Sequence, residues 1–534
     1  MEKEYVVVVN RGEDLEAFDA ELTASTGEGP IPNRTVEVAN PRLGSDRMTH
    51  WMLTDDEAEE LKNDPRVLCV EIPPDQRDDI EIGYAARQTG TFYRGSNLQS
   101  SYVNWGLRRC TADDNSTFGF QNTLSGDYDY AIDGTGVDVV IQDSGIQADH
   151  PEWEDKDGNS RLQQIDWYTE SGLTGTQSTN YYRDADGHGT HCAGIATGKT
   201  YGWAKGAQIY SQKLAGLETL SGTDGTGTAI SDAFDAIRLW HNSKPIDPAT
   251  GAKRPTVVNM SWGYSTVISS NPSSGSYRGT AWTWGSTYTD RYVLWAATGV
   301  PTATEAGGFR MPIRVGSIDA EIEAMIDAGI HVCIAAGNTP MKHDVSNGLD
   351  YNNVVVFNAV SYDYHRGSSP YSDRALNVGN IDSSVQSSGG SFYDKTATSS
   401  IRGPAVNIWA PGNGVVSTAS NIGDASYTTI DYPDDDSYKI MNIGGTSMAS
   451  PQVAGLAALK AQSVPSKGPD RIREDIINDA KNVVYNTGSS TDYDNLNQSL
   501  LGSDPNIMFS KYAVYNPMSY SGPITIRNVG PQLR

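Results

Sequence analysis

The sequence predicts an α/β protein in two parts: a small N-terminal α+β domain and a large three-layer domain around a mostly parallel sheet. Three observations predict it. Short β-branched runs, Val137 to Ile141 and Ile330 to Ile334, end in small and polar residues, as buried parallel strands do where they present side chains to a ligand. Two glycines and a hydroxyl pair, Gly444 to Ser447, run into Val453-Ala454-Gly455-Leu456-Ala457-Ala458-Leu459, the pattern of a buried helix. Residues 1–75 alternate strand and helix patterns in the order β-α-β-α-β.

In chain order, Glu4 to Asn10 reads as a strand and Asp14 to Leu22 as a helix. Met48 to Leu53 is a second strand. Thr54-Asp55-Asp56-Glu57 is a capping box opening a helix through about Asn63, where Asp64-Pro65 stops it. Val67 to Ile72 returns as a strand. Residues 76–104 are polar, charged and without periodicity, and read as a linker. The large domain spans 105–484, with an insertion at about 264–314 rich in Ser, Thr, Tyr and Trp. Its last helix is Pro469 to Asn482. A segment rich in Asn, Ser, Gly and Tyr, 485–534, follows as a C-terminal extension.

Four polar side chains stand where chemistry is expected. Ser447 falls in the first turn of the buried helix, beside N–H groups that have no intrahelical partner and could receive an oxyanion. Asp143 ends a buried strand; alone it would be a turn residue. His188 sits between glycines in Asp186-Gly187-His188-Gly189-Thr190-His191-Cys192, which lets the backbone approach a reaction centre closely. Two histidines invite a zinc reading, but no other Cys, His or carboxylate cluster has ligand spacing. Asn338 ends the Ile330 strand with an amide donor.

These motifs resemble those of the subtilases, the subtilisin-like serine peptidases, and the catalytic core is most similar to the proteinase K branch. The chain order Asp143, His188, Ser447 is that of subtilisin and differs from chymotrypsin and the α/β-hydrolases. The resemblance covers about Trp105 to Val484 and includes Asn104-Trp105-Gly106-Leu107, Val257 to Gly263 and Ile408 to Gly412. It implies a subtilisin-like fold, a catalytic triad of Asp143, His188 and Ser447, and Asn338 in the oxyanion hole. Substrate is implied to lie extended between an edge near Gly225-Thr226-Gly227 and another near Ser261-Trp262-Gly263, with Ala335-Ala336-Gly337 beside it. Residues 1–75 resemble the ferredoxin-like inhibitor propeptide of the family, which implies an intramolecular inhibitor partner and a maturation cut within 76–104. Departures are Gln452, where the family usually has histidine, and Thr339, where many relatives carry an acid. The insertion either walls the cleft or binds something else, with a solvated surface excursion as the alternative. A structural or binding protein, such as a virion component, that keeps a capped version of this fold is the alternative to a peptidase.

Composition narrows the partners. A net charge of −26 and a pI near 4.6 argue against nucleic acid or an anionic membrane as partner; a protein or peptide substrate is what the resemblance implies. The chemistry requires no cofactor; structural calcium is left open, with no site assigned, and Asp434-Asp435-Asp436 reads as a solvated loop. Cys69, Cys110, Cys192 and Cys333 lack disulfide-scaffold spacing. No export signal or transmembrane segment is visible, so extracellular, virion-associated and intracellular locations all stay open.

Overall fold

The computed structural model describes residues 2–24, 29–83, 104–112, 126–218, 224–301, 309–388, 391–422, 427–496 and 498–517. The N-terminal domain comprises β1 (Lys3–Val9), α1 (Leu15–Thr23), β2 (Glu37–Asn40), β3 (Met48–Leu53), α2 (Asp55–Lys62) and β4 (Val67–Glu71). They form a four-stranded antiparallel sheet in the order β2-β3-β1-β4. Asp14 caps α1, and Thr54 with Glu57 closes the capping box that opens α2. One strand more is present than the sequence pattern predicts. β2 is a short edge strand with exposed residues at Glu37, Val38 and Ala39, so burial leaves no alternation to read.

The large domain begins at α3 (Trp105–Arg109) and carries β6 (Asp138–Asp143), β7 (Leu162–Gln163), α4 (His188–Thr197), β8 (Gln208–Lys213) and α5 (Ile230–Ser243). Ahead of it lies β5 (Glu81–Gly83), a strand inside the predicted linker; the rest of that linker, 84–103, lies outside the described residues. The chain continues through β9 (Thr256–Met260), β10 (Gly263–Ile268), β11 (Phe309–Pro312), α6 (Gly316–Asp327) and β12 (His331–Ala335). It ends with β13 (Leu376–Ser388), β14 (Ile408–Pro411), α7 (Thr446–Ser463), α8 (Pro469–Asp479), β15 (Lys481–Asn482) and β16 (Asn506–Ile507).

The central sheet runs β15-β16-β14-β13-β12-β9-β6-β8-β7 and is parallel from β16 to β7. Side chains alternate across it. Val139, Ile141, Val257 and Cys333 face a core shared with α4 and α7, while Val140, Val258, Val332 and Ile334 face a core shared with α5 and α6. Two covered faces explain why the strands read as continuous apolar runs. From β6 the chain adds β8 on one side and β9 on the other, so the strand order reverses at β6. The crevice beyond such a reversal is where open α/β sheets bind ligands.

Two predicted boundaries differ. The last helix stops at Asp479, and part of the C-terminal extension belongs to the core: β16 pairs with β14, and the Trp409 indole donates to the Asp504 carbonyl at 2.9 Å. The insertion holds its own core, in which Ile268, Trp282, Leu294, Phe309 and Met311 pack with Val355 and Phe357, so it is a folded lobe rather than a solvated excursion.

The N-terminal domain docks on α5 and α6. β1 reads Val6-Val7-Val8-Val9 because both its faces are covered: Val7 and Val9 by α1, α2 and Trp51, Val6 and Val8 by Met48 and Ala320 of α6. Arg42 enters the buried interface between Glu321 (2.6 Å) and Asp235 (3.1 Å), and Arg47 reaches Glu323 at 2.9 Å. The Glu71 carboxylate accepts from the Ser317 N–H at 2.6 Å, supplying the cap that α6 lacks.

Gln452 on α7 shows what replaces the usual histidine. Its Oε1 accepts from Asn104 Nδ2 (2.8 Å) and Trp203 Nε1 (2.6 Å), and its Nε2 donates to Asn104 Oδ1 (2.8 Å) and Pro411 O (3.1 Å). Gly106 makes room for it, since a Cβ there would meet Nε2 at 2.5 Å. Gln452→Ala should remove four buried hydrogen bonds and cost about 3 kcal/mol, read as a lowered thermal midpoint with the fold otherwise retained.

Candidate active site

The ends of β6 and α4 bring together the first two predicted residues. His188 Nδ1 lies 2.8 Å from Asp143 Oδ1 and 3.1 Å from Oδ2, with both residues fully buried. Asp143 Oδ1 also accepts from the Ser144 N–H at 2.8 Å, which fixes the carboxylate plane. The approach needs Gly189: a Cβ there would meet the Gly145 carbonyl at 2.2 Å. A carboxylate accepting at Nδ1 requires the proton there and leaves Nε2 as the basic nitrogen.

Sequence reasoning missed Asp184, four residues before His188. It is buried and accepts from Ser144 Oγ (2.8 Å), Gly187 N (2.8 Å), Thr190 N (2.8 Å) and Thr190 Oγ1 (2.6 Å). Burial, with Asp186 adding to it, pushes its pKa up to about 6. Asp184 therefore ties the end of β6 to the histidine loop and the start of α4. A carboxylate before a glycine-rich histidine motif was the only available signal.

His191 takes no part in this arrangement. Its Nε2 faces the Met441 carbonyl at 3.1 Å, and burial pushes its pKa down to about 3, so it is a neutral donor. Asp143, His188 and Cys192 place ligand atoms within 4.8 Å of one another, but the first two are committed to their mutual hydrogen bond.

Ser447 lies in the first turn of α7, whose N-cap, Gly445, offers no side-chain cap to the N–H groups there. The Ser447 hydroxyl donates to the Ser261 carbonyl at 3.1 Å, and its own carbonyl accepts from Ser261 Oγ at 2.9 Å and Cys192 Sγ at 3.4 Å. Cys192 Sγ is also 3.8 Å from His188 Nδ1, so one thiol spans the gap between the serine helix and the histidine ring. Asn338 Oδ1 accepts from Thr446 N (2.8 Å) and Thr446 Oγ1 (2.9 Å), which locks the amide with Nδ2 over Gly445. A Cβ on Gly445, where φ is 153°, would meet that Nδ2 at 2.8 Å.

The predicted substrate residues divide. The Ser261 carbonyl lies against the Ser447 hydroxyl, and Trp262, next in the chain, is buried against Phe234 and Tyr264. Gly263 starts β10, whose antiparallel partner is β5, with Gly83, Ile82 and Glu81 opposite Gly263, Tyr264 and Ser265. Gly225, Thr226 and Gly227 follow β8; Gly225 and Thr226 pack against Ser178 or Asn180 and Gly227 against Leu214 and Ala215, and among the described residues no strand pairs with them. Ala335 and Ala336 end β12, and the Gly337 N–H donates to Thr446 Oγ1 at 3.1 Å. The insertion reaches this rim, where Thr339 Oγ1 donates to the Arg310 carbonyl at 3.0 Å.

Comparison with known proteins bears on the same segment. The subtilisin-like serine protease Pen c 2 of Penicillium citrinum is 26% identical over 424 residues, covering 77% of this chain and 67% of that protein. A cuticle-degrading serine protease of Arthrobotrys oligospora is 26% identical over 400 residues, covering 75% of this chain and 64% of the relative. The chain thus spans about two thirds of the length of these relatives. The crystal structure of fervidolysin from Fervidobacterium pennivorans, a keratinolytic enzyme related to subtilisin, aligns with a TM-score of 0.48 at 16% identity, over 94% of this chain and 60% of that one. Residues 134–498, which hold Asp143, His188, Asn338 and Ser447, match the Subtilase family model, and the chain belongs to that family.

Proposed function

We propose that the chain is a serine endopeptidase made as a self-inhibited precursor. One observation carries the reading: β5 lies extended on β10, which begins two residues after the Ser261 carbonyl that holds the serine hydroxyl, as a peptide substrate would. Opposing a bound strand to a serine, a histidine and a buried carboxylate is the requirement of acyl transfer.

In this reading the Ser447 hydroxyl turns from the Ser261 carbonyl to His188 Nε2, gives up its proton there and attacks a peptide carbonyl. Asp143 holds the ring tautomer and stabilises the imidazolium. The oxyanion is received by Asn338 Nδ2 and the Ser447 N–H. His188 then protonates the leaving amine, and water repeats the sequence to release the acid. No cofactor enters these steps.

The N-terminal domain is the inhibitor. It is held to α5 and α6 through Arg42, Arg47 and Glu71, and β5 extends from it along the cleft. Gly83 pairs with Gly263, two residues beyond Ser261. The first bond offered to Ser447 is then the one following the second residue after Gly83, Ala85–Ala86, which lies outside the described residues.

Purified full-length chain should yield a fragment beginning Ala86-Arg87-Gln88 and a fluorophosphonate-labelled serine, whereas Ser447→Ala should stay whole and unlabelled. Identical cutting of both forms, or intact unlabelled protein in both, would count against the reading. Asn338→Ala should lower kcat by about 10²–10³, the magnitude known for a subtilisin oxyanion donor, with KM little changed.

The docking is pH-sensitive. His50 Nδ1 lies 2.6 Å from Glu4 Oε1 and its Nε2 lies 3.2 Å from Arg42 Nη1, so the ring must be neutral with its proton on Nδ1. Burial, reinforced by Arg42 and opposed by Glu4 and Asp75, holds its pKa below the usual value. As pH falls below about 6.5, the undocked domain gains a proton that the docked one refuses, and affinity drops up to about tenfold per unit. Gel filtration of the cut but associated pieces should show readier separation at pH 5.5 than at 7.5, and His50→Gln should remove the difference.

A further inference from the structure

We infer that the cleft engages its substrate's backbone as far as the seventh residue before the cut, so that extended segments of long chains are favoured over short peptides. The inference rests on the endopeptidase reading and concerns which substrates that site accepts. Its basis is β10, the strand that starts two residues after Ser261, whose carbonyl holds the nucleophile, and runs on into the insertion.

Each edge of β10 has a different partner. The insertion returns as β11 and pairs antiparallel with β10 from Ser265 to Ile268. On this side Tyr264 donates its N–H to the Ser369 carbonyl (3.0 Å), and its carbonyl accepts from the Ile313 N–H (3.0 Å). Strand groups alternate in direction, so Tyr264, Thr266 and Ile268 direct N–H and C=O toward β11, while Gly263, Ser265 and Val267 direct theirs to the opposite edge. That edge is the one β5 occupies, but only from Gly263 to Ser265. Beyond Ser265, among the described residues, no strand covers it, and the Val267 side chain is 48% exposed.

Register then assigns the substrate. The residue opposite Ser261 is P1, because the Ser261 carbonyl is the group that holds the Ser447 hydroxyl at 3.1 Å. Counting along β10, Gly263 meets P3, Ser265 meets P5 and Val267 meets P7. β5 fills the first two of these inward-bonding positions in the precursor, and the edge continues for a third. A strand held by backbone groups selects for an extended, unfolded chain and only weakly for side chains. The insertion acts by stiffening this strand from its far edge through β11.

The test is a set of internally quenched peptides with one sequence from P4 to P4′ and four, six or eight residues before the cut. kcat/KM should rise about tenfold from four to eight residues, mostly through KM. Replacing the P7 amide by an ester, which removes the donor to the Val267 carbonyl, should erase most of that gain without touching the protein. In Val267→Pro, which deletes the facing N–H, the ratio of long to short should approach one. Equal kcat/KM at all lengths, or a gain unaffected by the ester, would overturn this inference while leaving the endopeptidase reading intact. Failure to cut any peptide, with Ser447 unlabelled by a fluorophosphonate, would overturn both.

Discussion

The structure depends on one helix buried on every side. α7 is buried without interruption from Thr446 to Ala461, so its place is set by close packing all round rather than by one apolar stripe. Small residues make this feasible: a Cβ on Gly455 would meet Trp203 at 2.6 Å. Ser450 Oγ donates to Asn259 Oδ1 at 2.8 Å, tying the second turn to β9. A helix fixed this way cannot slide, and its first turn holds Ser447 in one position relative to β6, β9 and β12. The three strands then deliver Asp143, Ser261 and Asn338 to that turn, and α4 needs only Gly189 to bring His188 within reach.

The N-terminal domain is attached by a different balance of forces. Asp235, Glu321 and Arg238 form a buried set on α5 and α6 with one negative charge in excess, and Arg42 completes it as the fourth member that neutralises it. Buried ion pairs contribute specificity more than stability, because each charge must lose its water. When Arg42 withdraws the two carboxylates keep Arg238, and the one negative charge in excess is returned to solvent with the rest of the interface. The apolar share of the contact, Val6, Val8 and Met48 against Ala320, is small beside the domain's own core around Trp51 and Phe18. A domain that folds on its own core and docks through charges is suited to a removable role.

The residues of the site were legible because chemistry restricts them. An aspartate ending a β-branched run, a histidine between glycines and a serine opening a small-residue helix each have a local reason to be there. Asn338 was legible for the same reason. What could not be read depends on long-range pairing. β5 is three residues of a polar stretch, and nothing local says that its partner lies near position 264. β16 is two residues long and joins the sheet only because β14 leaves an edge for it, so the end of the chain read as an appendage. Asp184 looked like any loop carboxylate until its four donors were in place.

The same reasoning explains why β5 exists as a strand at all. Extending the substrate strand into β10 creates a longer open edge, and an open edge is a template for unwanted pairing. Covering both sides permanently would abolish binding; leaving one bare would invite other chains. The chain covers one side with β11, a part of the insertion, and the other with β5, a segment lying just after the N-terminal domain. In the proposed reading inhibition and edge protection are one physical act, since the groups that would bind substrate are the groups that must be paired until it arrives.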